Sequence, residues 1–311
     1  MSATVLGEAT FAGRLTAELA AKRHLCAGID PHAGLLAEWG LNDDAAGAER
    51  MGRVVVAAAA GVAACVKPQI AFFERFGSAG YVALERVLAD ARAAGLLIVA
   101  DVKRGDIGTS FAAYADAWLT PGSPLESDAM TVAAYQGFGS LAGALGHVRD
   151  HGKGLFVLAA TSNPEAREVQ LARRADGRTV AQAMVEDAQA FNASLLSDPA
   201  LQDDASLEAQ PRGVHGVGPV GVVLGATLNL ADFDISTSAP AAADQSTQRL
   251  QLPVLAPGFG AQGGKLEDAR DIFGDLVGGV LANESRSILS GGEQGIVDRI
   301  RSRADALAQA L

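Results

Sequence analysis

The chain alternates short apolar runs with longer segments that have a helical or polar pattern. Residues 2–22 and 43–61 predict helices, and residues 81–94 predict an amphipathic helix. The apolar runs are rich in β-branched residues and end at glycine or polar residues, which is typical of strands buried on both faces. These runs cover residues 24–31, 64–69, 96–100, 129–135, 154–161, 219–227, 254–258 and 276–283.

This rhythm favours one α/β domain over residues 1–311, a (β/α)8 barrel, because that fold needs about eight strands alternating with helices. A doubly wound parallel sheet is the alternative. Polar residues recur at the C-terminal ends of the predicted strands, and in a barrel these ends meet at one mouth where active sites are built. Two polar stretches, residues 197–218 and 230–252, are predicted to be surface insertions.

The densest set of charges, within residues 96–110, follows the third predicted strand. Asp101, Lys103 and Asp106 fall within six positions of one another. Since side chains alternate along a strand, Asp101 and Lys103 should share one face. A surface ion pair is the ordinary interpretation of such a motif, but its place directly after a wholly apolar strand favours function. Lys67 also ends an apolar strand and is a further candidate.

The overall charge limits the classes of partner. The 311-residue chain has a formal net charge of −11 and a pI of about 4.9, which argues against a nucleic-acid-binding surface. The longest apolar run, residues 54–66, is far short of the ~20 residues of a membrane span, and no export signal is recognisable. We therefore expect a soluble protein. Cys26 and Cys65 fall in apolar runs, which predicts buried thiols and a reducing cytoplasm.

A glycine-rich segment, residues 258–263 (GFGAQG), follows the seventh predicted strand. Its G-x-G-x-x-G spacing occurs in dinucleotide-binding folds, but residues 276–283 offer no acidic residue of the kind such a fold requires. In a barrel, the loops after strands seven and eight bind phosphate instead. The guanidinium group of Arg286 would supply a positive charge and paired hydrogen-bond donors there. The alternative is that these glycines only make an ordinary loop flexible and bind no ligand.

We expect neither a metal nor a cofactor. The cysteines and histidines do not form a recognisable zinc motif. The histidines are His24, His32, His147, His151 and His215.

Several of these stretches resemble the orotidine 5′-phosphate decarboxylase family, in particular its longer bacterial subgroup, type 2. The resemblance follows nearly the whole chain in the same order. The K-R-G-D-I-G core is specific, whereas D-x-K-x-x-D alone also occurs in relatives similar to sugar-phosphate aldolases. The matching stretches are Lys67 and residues 27–31 (AGIDP), 101–108 (DVKRGDIG), 161–164 (TSNP) and 256–264 (APGFGAQGG).

The resemblance implies a role for each matching residue. Lys67, Asp101, Lys103 and Asp106 correspond to an alternating array of lysine and aspartate in the family. Asp106 would reach into the site of a neighbouring subunit, which implies a homodimer.

The substrate ligands are implied in the same way. Asp30 corresponds to a residue that contacts ribose, Ser162 to one that contacts the pyrimidine, and Gln262, with Gly263 beside it, and Arg286 to phosphate ligands. Ser110 stands where the family often has threonine, so its hydroxyl is retained without the methyl group.

The implied activity is the cofactor-independent decarboxylation of orotidine 5′-monophosphate to UMP and CO₂, the last step of de novo pyrimidine nucleotide synthesis. Lys103 would stabilise the carbanion at C6 and then protonate it, with Asp101 and Asp106 favouring its charged form. Two alternatives are a Mg²⁺-dependent sugar-phosphate aldolase or decarboxylase on the same barrel, and a non-catalytic sensor of a phosphoribosyl ligand.

Overall fold

The computed structural model describes residues 5–197, 214–238 and 249–311, and its centre is a closed barrel of eight parallel strands. The first strand pairs with the second and also with the last, so the sheet has no free edge. This confirms the predicted (β/α)8 fold. In chain order the barrel strands are β1 (Leu25–Ile29), β2 (Cys65–Pro68), β3 (Leu97–Arg104), β4 (Ala129–Val132), β5 (Gly154–Ala160), β7 (Val220–Leu224), β9 (Val254–Pro257) and β10 (Val280–Glu284).

In the described residues, α-helices occupy the connections between these strands, as the sequence pattern predicts, except that between β7 and β9, where a 3₁₀-helix spans Leu230–Phe233. The helix expected at residues 2–22 begins at Phe11, where the Thr10 side chain accepts a hydrogen bond from the N–H of Gly13. The α-helices of the described residues are α1 (Phe11–Ala20), α2 (Ala33–Glu38), α3 (Ala45–Ala59), α4 (Ala71–Glu74), α5 (Gly77–Ala93), α6 (Gly108–Leu119), α7 (Ala142–His151), α8 (Ala166–Gln170), α9 (Val180–Leu196), α10 (Ala269–Phe273), α11 (Arg286–Leu289) and α12 (Ile296–Ala310).

The last strand is shorter at its start than the apolar pattern suggests. Residues 274–279 form a 3₁₀-helix, and β10 begins only at Val280. Gly274 has a φ of +50°, which ends α10, and Gly279 packs so closely that a Cβ there would lie 2.2 Å from the carbonyl oxygen of Leu252. Leu276 and Val277 of this segment pack into the hydrophobic core without extending the sheet.

A second, two-stranded parallel sheet lies outside the barrel, formed by β6 (Val214–Val217) and β8 (Arg249–Gln251). These strands fall within the two predicted insertions, residues 197–218 and 230–252. Residues 198–213 of the first insertion and 239–248 of the second lie outside the described residues.

Apolar side chains fill the barrel and the layer between barrel and helices. Phe11 from α1 packs edge-on against Phe156 in the interior, with ring centroids 5.9 Å apart. Cys26 and Cys65 face each other on β1 and β2, and both are buried free thiols, as expected. In the described parts of the chain, no helix has the length and apolar character needed to cross a membrane.

Candidate active site

A chain of charges crosses the mouth of the barrel at the ends of β2 and β3. The Nζ of Lys67 lies 2.6 Å from Oδ2 of Asp101, and the Nζ of Lys103 lies 2.6 Å from Oδ1. The side chains of Lys67 and Asp101 are 4% and 8% exposed, whereas that of Lys103 is 45% exposed. Asp101 therefore bridges one buried and one accessible ammonium group, and its shared face with Lys103 is as predicted.

The two buried members hold each other ionised. Burial by itself would lower the pKa of Lys67, but the Asp101 carboxylate, and then that of Asp30, outweigh it and the pKa is raised. Burial likewise opposes ionisation of Asp101, yet Lys67 and Lys103 together hold the pKa of its carboxyl well below the ordinary value. The site thus keeps a fixed carboxylate between two cations.

Two neutral donors complete the environment of this carboxylate. Gln69 Nε2 donates to Oδ2 of Asp101 at 2.9 Å, and Thr131 Oγ1 donates to Oδ1 at 2.9 Å. With the two lysines, Asp101 accepts four hydrogen bonds, so the carboxylate has one orientation.

Asp106 follows β3 after a tight passage of the backbone. A Cβ at Gly105 would lie 2.1 Å from the carbonyl oxygen of Ala133, so only glycine fits between β3 and the end of β4. Asp106 is partly exposed, and its Oδ1 accepts the N–H of Ile107 at 2.8 Å. In the described residues it makes no ion pair with Lys103, unlike Asp101.

A cavity of about 280 Å³ opens at the ends of β1, β9 and β10. Three predicted ligands, Asp30, Gln262 and Arg286, line it, and it also includes Ser285. The Oδ1 of Asp30 and the Oγ of Ser285 are buried without a hydrogen-bond partner, and the Arg286 side chain pairs with no carboxylate of the described chain. The cavity thus offers polar groups that a ligand could satisfy.

The glycine-rich loop forms one wall of this cavity. Gly258, Gly260 and Gly263 have φ values of +115°, +69° and +97°, a region that favours glycine. Gly263 itself lines a separate cavity against α12 rather than the one that holds Arg286.

The end of β10 corrects one part of the sequence interpretation. Glu284, an acid, does end this strand, but its carboxylate is buried and accepts two hydrogen bonds at 2.7 Å from Arg303, one from Nε and one from Nη2. It also accepts the Ser287 hydroxyl. Because Arg303 of the last helix pairs with Glu284, this carboxylate is not free to bind a ribose, as a dinucleotide-binding fold would require.

The two predicted serine ligands lie outside the cavity lining. Ser110 is exposed on the first turn of α6. Ser162 is exposed on the loop after β5, beside Gly225. Gln170 holds the start of that loop, because its Oε1 accepts the N–H of Thr161 and its Nε2 donates to the Thr161 hydroxyl.

Gln69, Thr131 and Ser285 are the site residues that the sequence interpretation missed. Thr131 is the polar residue of an otherwise apolar strand, AMTV, and Gln69 follows Lys67 by two positions. A polar residue in an otherwise apolar strand, or directly after one, is a signal in the sequence that could have identified both residues as candidates. Only the fold reveals that they meet the same carboxylate.

One histidine pair has a spacing that a helical metal site could use, contrary to the expectation from the sequence. His147 and His151 are four residues apart on α7, with ring centroids 5.4 Å apart. The Nε2 of His147 lies 2.9 Å from Oδ1 of Asp116. Within the described residues no three His, Cys, Asp or Glu side chains converge as metal ligands, and the side chain of His215 lies outside that description.

Comparisons with known proteins identify relatives that cover almost the whole chain. An orotidine 5′-phosphate decarboxylase of Streptomyces coelicolor is 46% identical over 299 residues, which is 96% of this chain and 95% of the relative. That of a Nocardioides species is 49% identical over 282 residues, 90% of this chain and 91% of the relative.

Solved structures give the same result. A crystal structure assigned to the Streptomyces avermitilis orotidine 5′-phosphate decarboxylase superposes with a TM-score of 0.81 and 45% identity, covering 100% of this chain and 97% of the other. The Leishmania donovani OMP decarboxylase gives a TM-score of 0.67 at 27% identity, covering 97% and 100%. Residues 23–293 also match the sequence profile of a single family. The chain belongs to the Orotidine 5'-phosphate decarboxylase / HUMPS family.

Proposed function

We propose that this protein decarboxylates orotidine 5′-monophosphate to UMP and CO₂, the last step of de novo pyrimidine nucleotide synthesis. The observation that carries the proposal is the Lys67–Asp101–Lys103 array beside a cavity that contains Arg286. The family relationship points to the same reaction.

Lys103 is the acid in this proposal. Loss of CO₂ leaves an electron pair at C6 of the pyrimidine that the ring does not delocalise, so stabilisation must come from a preorganised positive charge. Of the two lysines on Asp101, Lys67 is enclosed and Lys103 is accessible. Lys103 therefore meets the substrate, and its ammonium group stabilises the carbanion and then transfers a proton to C6.

Asp101 and Lys67 hold this acid in place. Because Asp101 accepts hydrogen bonds on both oxygens, its position is set before substrate arrives. Its negative charge also faces the region where the substrate carboxylate would lie, and we rank that repulsion second.

The cavity binds the rest of the nucleotide. Arg286 and Gln262 hold the phosphate, with Gly263 in the same loop, and Asp30 holds the ribose through its unpartnered oxygen. Ser110, on the first turn of α6, and Ser162, on the loop after β5, contact the ribose and the pyrimidine when these segments close over the substrate. Binding energy from the remote phosphate can drive that closure.

The active form is a homodimer in which Asp106 completes the array of the partner subunit. Large apolar side chains are exposed on the segments that follow β3 and β4: Ile107 at 61%, Tyr114 at 40% and Tyr135 at 85%. A group of exposed aromatic and aliphatic side chains is typical of an interface. We place the enzyme in the cytoplasm, where Cys26 and Cys65 stay reduced.

A direct assay tests the reaction. Purified protein, stripped of metal with EDTA, should consume orotidine 5′-monophosphate with the loss of its ultraviolet absorbance, and Lys103→Ala should not. Activity that disappears with EDTA and returns with Mg²⁺ would favour the aldolase-like alternative. Tight UMP binding without any CO₂ release would favour the sensor.

A further inference from the structure

The pairing of β3 with β4 is irregular at the catalytic residues. Ala100 pairs with Met130 and Arg104 pairs with Val132, so three residues of β3 stand opposite one residue of β4. That single residue is Thr131. Such a bulge leaves part of the ladder without its ordinary backbone partner.

The Thr131 hydroxyl fills this gap. It accepts the backbone N–H of Lys103 at 2.9 Å and donates its own proton to Oδ1 of Asp101 at 2.9 Å. The directions are fixed, because a carboxylate only accepts and a backbone N–H only donates. Thr131 is 1% exposed, so water does not compete for either bond.

The backbone that this hydroxyl holds is strained. Lys103 has a φ of +45°, a left-handed conformation that is rare for a residue with a side chain and persists only where the surroundings enforce it. The same hydroxyl therefore fixes both the backbone of Lys103 and the carboxylate to which the Lys103 side chain bonds.

We propose that Thr131 is a positioning residue for decarboxylation, which sets the Lys103 ammonium group by bridging Asp101 to the Lys103 backbone. This inference rests on the proposed function, since it assigns the chemistry to Lys103. Without the hydroxyl, the Lys103 N–H and one bond of Asp101 Oδ1 lose their partner together, and the Lys103 backbone relaxes towards an extended conformation.

Thr131→Val and Thr131→Ser form a matched pair. Valine keeps the shape of threonine without the hydroxyl, and serine keeps the hydroxyl without the methyl group. We expect Thr131→Val to lower kcat at least about tenfold while KM and the Kd for UMP stay within about threefold. Thr131→Ser should retain kcat within about threefold of the wild type.

A second measurement separates an effect on the position of Lys103 from a general loss of order at the mouth of the barrel. Thr131 acts at the reacting end of the substrate, so Thr131→Val should lower kcat/KM by the same factor for orotidine 5′-monophosphate and for the nucleoside orotidine. If Thr131→Val does not fold, Thr131→Cys against Thr131→Ser gives the comparison, because a thiol of similar size is a much weaker hydrogen-bonding group.

The outcomes distinguish a failure of the proposed function from a failure of the role of Thr131. A wild-type protein that does not release CO₂ overturns the proposed function itself. An active wild type with a Thr131→Val kcat within twofold of it, or with equal losses in the valine and serine variants, overturns only the role of Thr131. Loss of UMP binding in Thr131→Val with kcat retained would also count against positioning.

Discussion

The ion pair of Lys67 and Asp101 is the most deeply buried charge contact at the mouth of the barrel, with Nζ and Oδ2 2.6 Å apart and side chains 4% and 8% exposed. Removing one partner of a buried pair leaves the other charge uncompensated, which is far more costly than losing a surface pair.

Asp101→Asn should therefore lower the free energy of unfolding by about 3–5 kcal/mol at neutral pH, measured by urea denaturation. Asp305→Asn, on the exposed side of α12, is the control and should change it by only about 0.5 kcal/mol. The folded pKa of Asp101 is lowered, so its stabilising contribution is present above its ordinary value of 3.8 and is lost as the pH falls further. The gap between wild type and Asp101→Asn should narrow in acid, and a gap independent of pH would contradict the assignment.

Lys103→Ala should lower kcat at least about a thousandfold, because it removes both the cation that stabilises the carbanion and the proton donor. Binding of UMP, measured by calorimetry, should change little, since the cavity that holds the nucleotide is intact. Lys22→Asn removes an exposed lysine before β1, at the opposite end of the barrel, and should leave kcat unchanged. Robust turnover by Lys103→Ala would rule out Lys103 as the acid.

Arg286→Ala should lower kcat/KM for orotidine 5′-monophosphate by about 10- to 100-fold, the loss expected for a charge-assisted hydrogen bond to phosphate. The nucleoside orotidine lacks the phosphate, so its slow decarboxylation should be nearly unaffected. Arg301→Ala, on the exposed side of α12, is the matched control and should affect neither substrate. Equal losses on both substrates would remove the phosphate assignment of Arg286.

Mixing two inactive variants tests the placement of Asp106. If each site takes Lys103 from one subunit and Asp106 from the other, a heterodimer of Lys103→Ala and Asp106→Ala contains one site with both native residues. Random reassortment should then restore about a quarter of wild-type activity, as two-fold symmetry requires. Each variant refolded alone should stay inactive, and absence of complementation in verified heterodimers would place Asp106 in its own subunit's site.

His24 should make stability sensitive to mild acid. Burial lowers the pKa of its imidazole, an effect that the hydrogen bond from Nδ1 to the Val280 carbonyl at 2.8 Å offsets only in part. As the pH falls below about 6.5, the unfolded chain takes up the proton first, so the free energy of unfolding decreases. His24→Asn should flatten this decrease between about pH 7 and pH 5 in urea titrations. An identical slope in the variant would exclude His24.

The sequence pattern was sufficient for the barrel and for the expectation that Lys67, Asp101 and Lys103 meet. These three side chains do meet, although the bulge at Lys103 interrupts the strand alternation from which the contact was predicted. The start of β10 was not predictable in this way, since residues 276–279 are apolar and only their glycines and packing end the strand pattern.

The residues that surround the array depended on the fold. Thr131 and Asp101 are 30 positions apart, and their contact follows from a bulge that no pattern in the sequence announces. Glu284 was unrecognised for a similar reason, because its partner Arg303 lies 19 residues later, on the last helix.

The pairing of β1 with β10 joins Leu25 to Ala282, and the buried carboxylate that ends β10 is neutralised from α12. A nascent chain leaving the ribosome must therefore carry its first strand with one edge unpaired until almost the whole protein has been translated. Contacts this distant in sequence make folding slow. Premature termination just after β10 would leave Glu284 buried without its guanidinium partner. The end of β10 can therefore reach its native structure only after the final helix has been translated.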